Sequence, residues 1–141
     1  MIYLYARDGV GLRQLSPDSP LTDAAWIDLY HPTDGQVAEA AKLGLSVPSL
    51  ADMEEIEISN RLYREDGRDY MTAILPGQTM DRQQASMPVT FIIGSGRLVT
   101  VRHHAPRPFE TFPTRADKSS TGCDSANHIF LGLIEEILGR P

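Results

Sequence analysis

The sequence predicts an α/β (α+β) protein in which a mixed, largely antiparallel sheet of about seven strands lies between two layers of helices. Three observations support this fold class. Turn residues separate pairs of alternating apolar segments, as they do in β-hairpins. Apolar stripes at helical spacing stand between and after these pairs. The 141 residues contain no internal repeat, so a single three-layer α/β/α domain over residues 1–141 is the simplest organisation.

Three strands are predicted near the start of the chain. Residues 2–5 and 12–15 flank a glycine-containing turn, which predicts a hairpin. A segment with two prolines then interrupts the pattern. Residues 26–29 resume it as a third strand, which ends at His31 and Pro32.

Two helices are predicted next. Thr33 can cap the first, because Gln36 three residues later completes a capping box, and Gly44 permits the helix to stop. This helix should cover one face of the sheet. A second, short helix opens near Pro48 and has an apolar and an acidic side. The apolar side consists of Leu50, Met53 and Ile56, and the acidic side consists of Asp52, Glu54, Glu55 and Glu57.

Two hairpins follow the acidic helix. Asp66 and Gly67 stand where a two-residue turn would join paired strands, which is the strongest hairpin signal of the chain. A polar interval over residues 77–86 is predicted to connect this hairpin to the alternating segment 89–93. A glycine-flanked turn at Ser95 then leads into a final strand.

The last third of the chain predicts two helices. A short helix around Glu110 is expected to be interrupted by Pro113. Asp124 or Ser125 can cap the final helix. Its apolar residues recur at the spacing of a core-facing stripe. They are Phe130, Leu133, Ile134, Ile137 and Leu138.

Composition restricts the classes of function. The chain has a formal net charge of −6, with 41% hydrophobic and 23% charged residues, which suits one globular domain. Nucleic-acid binding is disfavoured, because it depends on clustered Lys and Arg. No apolar stretch approaches the roughly 20 residues of a membrane-spanning helix, and no secretory leader is present. We therefore expect a domain that stays in the cytoplasm.

Histidine and serine residues give little support to catalysis. His103 and His104 follow a strand, and adjacent strand residues point to opposite faces, so a pair of solvated loop residues is favoured over joint metal ligation. His31 and His128 have no ligand partner nearby in the sequence, and only the fold can test a distant one. No serine stands in a glycine-flanked nucleophile elbow. We expect a protein that is not an enzyme.

The acidic helix is the best candidate for a metal contact. Hard divalent cations prefer carboxylate oxygens and often keep part of their water shell. The candidate ligands are the carboxylates of its acidic side, Asp52, Glu54, Glu55 and Glu57. The alternative is that this acidic side faces solvent, and the pattern alone favours that alternative.

The order of four segments resembles the N-terminal cytosolic domain of the CorA family of magnesium and related divalent-cation transporters, which has a zinc branch. The segments are WIDLYHPT from Trp26, SNRLYREDGRDYMTAIL from Ser59, VTFIIGSGRLVTVR from Val89 and SANHIFLGLIEEIL from Ser125. The acidic helix lies between the first two. Each segment alone is unspecific, and their order carries the resemblance over most of the chain.

The resemblance implies a regulatory cytosolic domain of a divalent metal-cation transporter, with magnesium, zinc or cobalt as the transported ion. It implies that the full-length protein continues into a stalk helix and two membrane spans, forms a homopentamer, and places this domain on the cytoplasmic face of the cell membrane. The Gly-Met-Asn signature of the family's pore is absent from these residues. No cofactor is required, and a divalent cation is expected as a regulatory ligand.

The resemblance also assigns a position to that ligand. In some members a carboxylate of the acidic helix meets an acidic residue of the neighbouring subunit's stalk, and the bound cation favours the closed pore. Counting back from Asn60 and Arg61, the matching position is Glu55, where the family usually has Asp, and Glu54 beside it is the second predicted ligand. Two other classes stay open at this point, namely a stand-alone binding or scaffold module of the same fold and, third, a metal-dependent hydrolase.

Overall fold

The structure, a computed structural model, describes residues 1–55 and 61–139. The strands are Ile2–Asp8 (β1), Gly11–Leu15 (β2), Trp26–Tyr30 (β3), Leu62–Glu65 (β4), Arg68–Gln78 (β5), Gln84–Gly94 (β6) and Arg97–Arg102 (β7). The helices are Asp34–Ala41 (α1), Leu50–Glu55 (α2), Pro108–Arg115 (α3) and Ala126–Ile137 (α4). Within the described ranges, no helix is both long and apolar enough to cross a membrane.

The seven strands form one sheet in the order β2-β1-β3-β7-β6-β5-β4. β3 and β7 pair in parallel, with Trp26 opposite Leu98 and Tyr30 opposite Arg102. The other five pairs are antiparallel. The predicted mixed, largely antiparallel sheet of about seven strands is therefore confirmed.

Helices cover both faces of the sheet, which confirms the predicted three-layer architecture. On one face, Trp26 lies 6.2 Å from Phe109 and 5.9 Å from Phe112 of α3, measured between ring centroids, and α4 adds Ile129 and Leu133 to the same cluster. On the opposite face, α1 and α2 contribute to a second buried cluster. Each face therefore buries its own set of side chains.

Local sequence signals fix several element ends as predicted. The Thr33 side chain accepts a hydrogen bond from the Gln36 backbone, and the Gln36 side chain bonds back to the Thr33 backbone, so the capping box of α1 is present. Asp66 and Gly67 have φ of 50° and 77°, the pair of positive φ values that a tight hairpin turn requires. Ser125 caps α4.

The polar connection predicted over residues 77–86 is shorter in the structure. β5 extends to Gln78 and β6 begins at Gln84, so half of this interval is strand and residues 79–83 form the connection. Its polar side chains are compatible with a strand because the ladder is made by backbone groups. Gln78 also forms a bridge with Ala105, and a Cβ at Gly77 would lie 2.6 Å from the Pro106 nitrogen. The backbone of β5 therefore passes so close to residues 105–106 that position 77 has no room for a side chain.

Pro113 does not interrupt the helix around Glu110, contrary to the prediction. It lies inside α3, which is anchored in the core by Phe109 and Phe112. An interior proline costs about 3 kcal/mol. Burying two Phe side chains contributes about 1.5–3 kcal/mol each, which offsets that cost.

The core-facing side of α4 is rotated from the predicted stripe. Ile129, Gly132 and Leu133 are its buried centre, whereas Leu138 is 64% exposed. The absence of a side chain at Gly132 explains the rotation, since a Cβ there would lie 2.8 Å from the Phe112 ring. The helix packs closest where it has no side chain, and this places the neighbouring residues in the core.

Candidate functional site

The acidic helix α2 is held at its start by a reciprocal pair of hydrogen bonds. The Asp52 backbone donates to the Ser49 hydroxyl at 3.1 Å, and the Ser49 backbone donates to the Asp52 carboxylate at 3.2 Å. Asp52 therefore acts in helix capping. Met53 is only 2% exposed and lies in the same buried cluster as Ile92 of β6. One residue thus fixes which side of α2 faces the sheet.

Arg68 and Tyr70 of β5 hold the loop that carries α2. The Arg68 guanidinium donates to the carbonyls of Leu43 at 2.6 Å and Gly44 at 3.2 Å, just beyond the C-terminal end of α1. The Ser46 backbone donates to the Tyr70 hydroxyl at 3.1 Å. A cation at a helix C-terminus also meets the negative end of its dipole. The position of the acidic side is therefore set by the sheet.

Glu54 and Glu55, the predicted metal ligands, are both exposed on α2. In residues 1–55 and 61–139, no group of three His, Cys, Asp or Glu side chains is arranged to hold a metal ion. Glu57 and the reference residue Asn60 lie outside the described residues. Two exposed carboxylates can bind a hard cation that keeps most of its water, or can supply part of a shared site. Their role as ligands stays a prediction.

A buried ion pair between Asp28 of β3 and Arg102 of β7 was missed by sequence reasoning. The Arg102 Nη2 donates to Asp28 Oδ2 at 2.8 Å, and its Nε lies 3.1 and 3.2 Å from the two carboxylate oxygens. The Thr100 hydroxyl donates to Asp28 at 2.9 Å and accepts from the Trp26 indole at 3.0 Å. The side chains of Trp26, Thr100, Asp28 and Arg102 thus form one hydrogen-bonded network, as buried polar groups require.

The Arg102 guanidinium also lies between aromatic rings. Its central carbon is 4.2 Å from the Tyr30 ring centroid and 4.8 Å from that of Phe109. Its Nη1 donates to the His104 carbonyl at 2.9 Å. A charged residue within the otherwise apolar segment WIDLY was the signal that could have revealed this pair, because a buried charge needs a partner. The sequence did not identify that partner.

A cleft of about 320 Å³ opens beside this pair, between the sheet and α3. Tyr3, Tyr5, Tyr30 and Phe109 line it together with Arg102. Burial, followed by the Asp28 charge, raises the pKa of Tyr5 above its usual range. Its ring stacks on Trp26 with centroids 4.7 Å apart. The cleft is mainly aromatic, and its arginine is already paired.

The histidines are placed differently from the prediction of a solvated loop pair. His104 is fully buried and its Nε2 lies 2.8 Å from the Leu75 carbonyl. His103 is partly buried, and its ring centroid is 5.2 Å from that of His31. The parallel pairing of β3 with β7 brings these residues to one end of the sheet. Burial is the main cause that lowers the pKa of all three imidazoles, which favours their neutral forms.

Solved structures of other proteins share this fold. The complete structure of the CorA magnesium transporter from Methanocaldococcus jannaschii aligns with a TM-score of 0.64 and 15% identity, over 97% of this chain and 44% of that one. The ZntB cytoplasmic domain from Vibrio parahaemolyticus RIMD 2210633 aligns with a TM-score of 0.62 and 13% identity, over 98% of this chain and 57% of that one. The seven-stranded α/β/α sandwich is thus a fold shared with CorA and ZntB proteins.

Sequence comparison identifies the family. The model of the family described as "CorA-like Mg2+ transporter protein" matches residues 22–140. The chain belongs to this family, which confirms the resemblance. Over 123 residues it is 28% identical to the magnesium transport protein CorA of Escherichia coli (strain K12), covering 86% of this chain and 39% of the relative. The chain therefore spans about two fifths of that relative's length.

Proposed function

We propose that this chain is the regulatory cytosolic domain of a divalent metal-cation transporter, with Mg²⁺ as the first candidate for the transported ion and Zn²⁺ or Co²⁺ as alternatives. The family match over residues 22–140 carries this proposal. The E. coli relative, a magnesium transport protein, supports Mg²⁺, and the fold shared with ZntB keeps Zn²⁺ as an alternative. The role is one of regulation, without catalysis and without a required cofactor.

The complete protein in this proposal is a homopentamer whose stalk helices and membrane spans follow this domain. The 39% coverage of the E. coli relative supports a longer protein. The domain then lies on the cytoplasmic face of the cell membrane and contacts its own stalk and the neighbouring subunits. A stand-alone binding module of the same fold is the alternative, and a gene without downstream spans would favour it.

Regulation in this proposal depends on the acidic side of α2. The Glu55 carboxylate, with Glu54 beside it, faces an acidic group of a neighbouring stalk. The two carboxylates repel one another when no cation is bound, and a divalent cation removes that repulsion. Loss of the cation shifts the population towards an open arrangement, because the cation binds the closed one more tightly. The exposure of both side chains supports this role.

The test is ion flux by the full-length protein in liposomes, with the internal Mg²⁺ concentration varied. We expect internal Mg²⁺ to inhibit uptake, and Glu55→Ala to require a higher concentration for the same inhibition. Glu39→Ala is the matched control, since it removes the same charge from exposed α1 on the same side of the sheet. Flux of Zn²⁺ and Co²⁺ in the same liposomes determines the transported ion.

Two results would contradict the proposal. If the full-length protein carried none of these ions, the transport function would be wrong. If it carried Mg²⁺ but Glu55→Ala and Glu39→Ala had the same dependence on internal Mg²⁺ as the unmodified protein, only the role of Glu55 would be lost.

A further inference from the structure

A groove runs between α3 and the β1–β2 hairpin, on the face of the sheet opposite to α1 and α2. It consists of two adjoining clefts. The first is the cleft of about 320 Å³ beside Arg102, and the second, of about 480 Å³, shares Tyr5, Gln14, Pro113 and Thr114 with it. Side chains of β1 and β2 form the floor, and α3 with the turn that follows it forms one wall. The groove therefore extends well beyond the aromatic cleft.

The wall places a carboxylate at each end of this groove. Glu110, Pro113, Thr114 and Asp117 follow one another at helical spacing, so they lie in one row. Glu110 lines the first cleft, and Asp117 lines the second together with Asp8. Seven positions separate Glu110 from Asp117, which corresponds to about 10 Å along a helix. The two ends are thus too far apart for one metal ion to contact both.

The charge of the groove is negative and unbalanced. Arg102 is the only Lys or Arg among the residues that line the two clefts, and Asp28 neutralises it at 2.8 Å. In residues 1–55 and 61–139, the carboxylates of Asp8, Glu110 and Asp117 take part in no ion pair. Both ends of the groove therefore attract cations and repel anions.

A nearly buried hydroxyl without a partner lies between these ends. Tyr5 is only 6% exposed and lines both clefts. The hydroxyls of Tyr3 and Tyr30 contact methionine sulfur atoms at 3.7 and 3.3 Å, whereas no described residue forms a hydrogen bond with the Tyr5 hydroxyl. Its oxygen is not one of the unpartnered atoms that solvent cannot reach, so it opens on the groove. A hydroxyl in this position needs a partner that enters the groove, and its oxygen can accept from a cationic N–H.

We propose that the groove binds a linear aliphatic polyamine, with one terminal ammonium group near Glu110, the other near Asp117, and the chain across Tyr5. An extended triamine such as spermidine measures about 11 Å between its terminal nitrogens by ordinary bond lengths, which matches the spacing of the two carboxylates. Its methylene groups pack on the apolar lining, and its N–H groups supply the donors that the Tyr5 hydroxyl lacks. This site is independent of the carboxylates of α2 and does not rest on the proposed function.

The direct test is a calorimetric titration of the chain with spermidine at about 0.15 M salt, where attraction between distant charges is screened. We expect saturable binding of one molecule per chain. Butylamine has a single ammonium group and reaches only one carboxylate, so it should bind several-fold more weakly. No binding of spermidine at millimolar concentration would overturn the proposal, and so would equal affinities for spermidine and butylamine.

Variants test the parts of the groove separately. Glu110→Gln and Asp117→Asn should each weaken spermidine binding by about two- to fivefold, the effect of one exposed ion pair. Tyr5→Phe keeps the ring and removes the hydroxyl, which should weaken binding by about tenfold, as expected for a hydrogen bond to a charged group. Glu65→Gln is the matched control, because it removes the same charge from exposed β4 at the other edge of the sheet.

Two results with these variants would exclude the site. An equal loss of affinity in Glu65→Gln and in the groove variants would mean that the net negative charge of the chain attracts the amine without a specific site. Unchanged affinity in the three groove variants, with circular dichroism showing that they are folded, would mean that spermidine binds elsewhere.

Discussion

Arg102 and Asp28 form a bidentate ion pair across the parallel strands β7 and β3, with side chains that are only 7% and 1% exposed. The two strands are distant in the chain. The ion pair and the hydrogen bond from the Thr100 hydroxyl to Asp28 help to specify their register, that is, which residues lie opposite each other. A shift of one residue would point Asp28 to the opposite face of the sheet. The pair therefore supports the register that creates the cleft and aligns His31 with His103.

Removing one member of this pair should be strongly destabilising. Arg102→Met leaves the Asp28 carboxylate buried without its cation, which we expect to lower the free energy of unfolding by about 3–5 kcal/mol. Urea denaturation followed by circular dichroism measures this change. Arg64→Met is the control, since its ion pair with Asp69 is 66% and 55% exposed and should contribute at most about 1 kcal/mol.

The double variant Asp28→Leu with Arg102→Met separates the two contributions. Because both charges are removed together, we expect it to regain most of the stability lost in Arg102→Met. Additive losses in the double variant would show that packing around these side chains, and not the unpaired charge, causes the destabilisation.

Gly132 should be intolerant of a side chain because of its contact with α3. A Cβ at this position would lie 2.8 Å from two atoms of the Phe112 ring, which is buried and cannot move aside easily. Alanine improves helix propensity by about 1 kcal/mol, but overpacking costs about 1–3 kcal/mol, so we expect a net loss. Thermal unfolding of Gly132→Ala measures the balance.

Gly35→Ala in α1 is the matched control for this substitution. Its added Cβ would meet only the Thr33 hydroxyl at 3.9 Å, so stability should stay constant or rise by up to about 1 kcal/mol. Equal melting temperatures for Gly132→Ala and the unmodified chain would show that α4 shifts away from Phe112 at no cost.

Signals carried by neighbouring residues predicted the fold well. The Asp66–Gly67 turn and the Thr33–Gln36 capping box are local, so the sequence identifies their geometry without any knowledge of tertiary contacts. The continuation of β5 to Gln78 was missed for the opposite reason. Pro76, Gly77 and Gln78 show no alternation of apolar and polar side chains, and the segment is ordered by backbone pairing with β6 and with Ala105.

The candidate site was predicted only in its local part. The acidic helix was recognised from spacing, whereas the anchoring of its loop by Arg68 depends on contacts with Leu43 and Gly44 that no local pattern encodes. The meeting of His31 with His103 follows from the parallel register of β3 and β7. Such pairings depend on which strands become neighbours, and the sequence left that order undetermined.

Tyr5 should make the protein less stable at alkaline pH. Its pKa is raised in the folded state, so its stabilising effect is present below the unfolded pKa of about 10 and is lost as pH rises above that value, where only the unfolded chain ionises. In Tyr5→Phe the stacking on Trp26 is retained and this titration is removed. We expect the free energies of unfolding of Tyr5→Phe and of the unmodified chain to differ by a constant below about pH 10. Above that pH, the unmodified chain should lose stability relative to Tyr5→Phe by up to about 1.4 kcal/mol per pH unit.

Urea denaturation at a series of pH values measures this difference, and tyrosinate absorbance reports whether Tyr5 ionises in the folded chain. A constant difference up to about pH 11, or a Tyr5 that ionises near its ordinary pKa of about 10, would show that the ring hydroxyl is solvated.

Arg68 should control the order of the segment that presents Glu54 and Glu55. Its guanidinium bonds to two carbonyls after α1 and to the Ser95 hydroxyl, so Arg68→Met releases the loop before α2 from the sheet. Each charge-assisted hydrogen bond contributes about 1.5–3 kcal/mol at most, and partial solvation reduces that value. We therefore expect a loss of about 1–3 kcal/mol in local stability.

Hydrogen exchange of backbone amides measures this loss. In Arg68→Met it should become faster over residues 43–55 and stay slow in β6 and β7. Arg64→Met, on the same hairpin, should leave both regions unchanged. Faster exchange throughout the sheet would mean that Arg68 stabilises the whole domain, and unchanged exchange over residues 43–55 would mean that Met53 and Tyr70 alone hold the acidic helix in place.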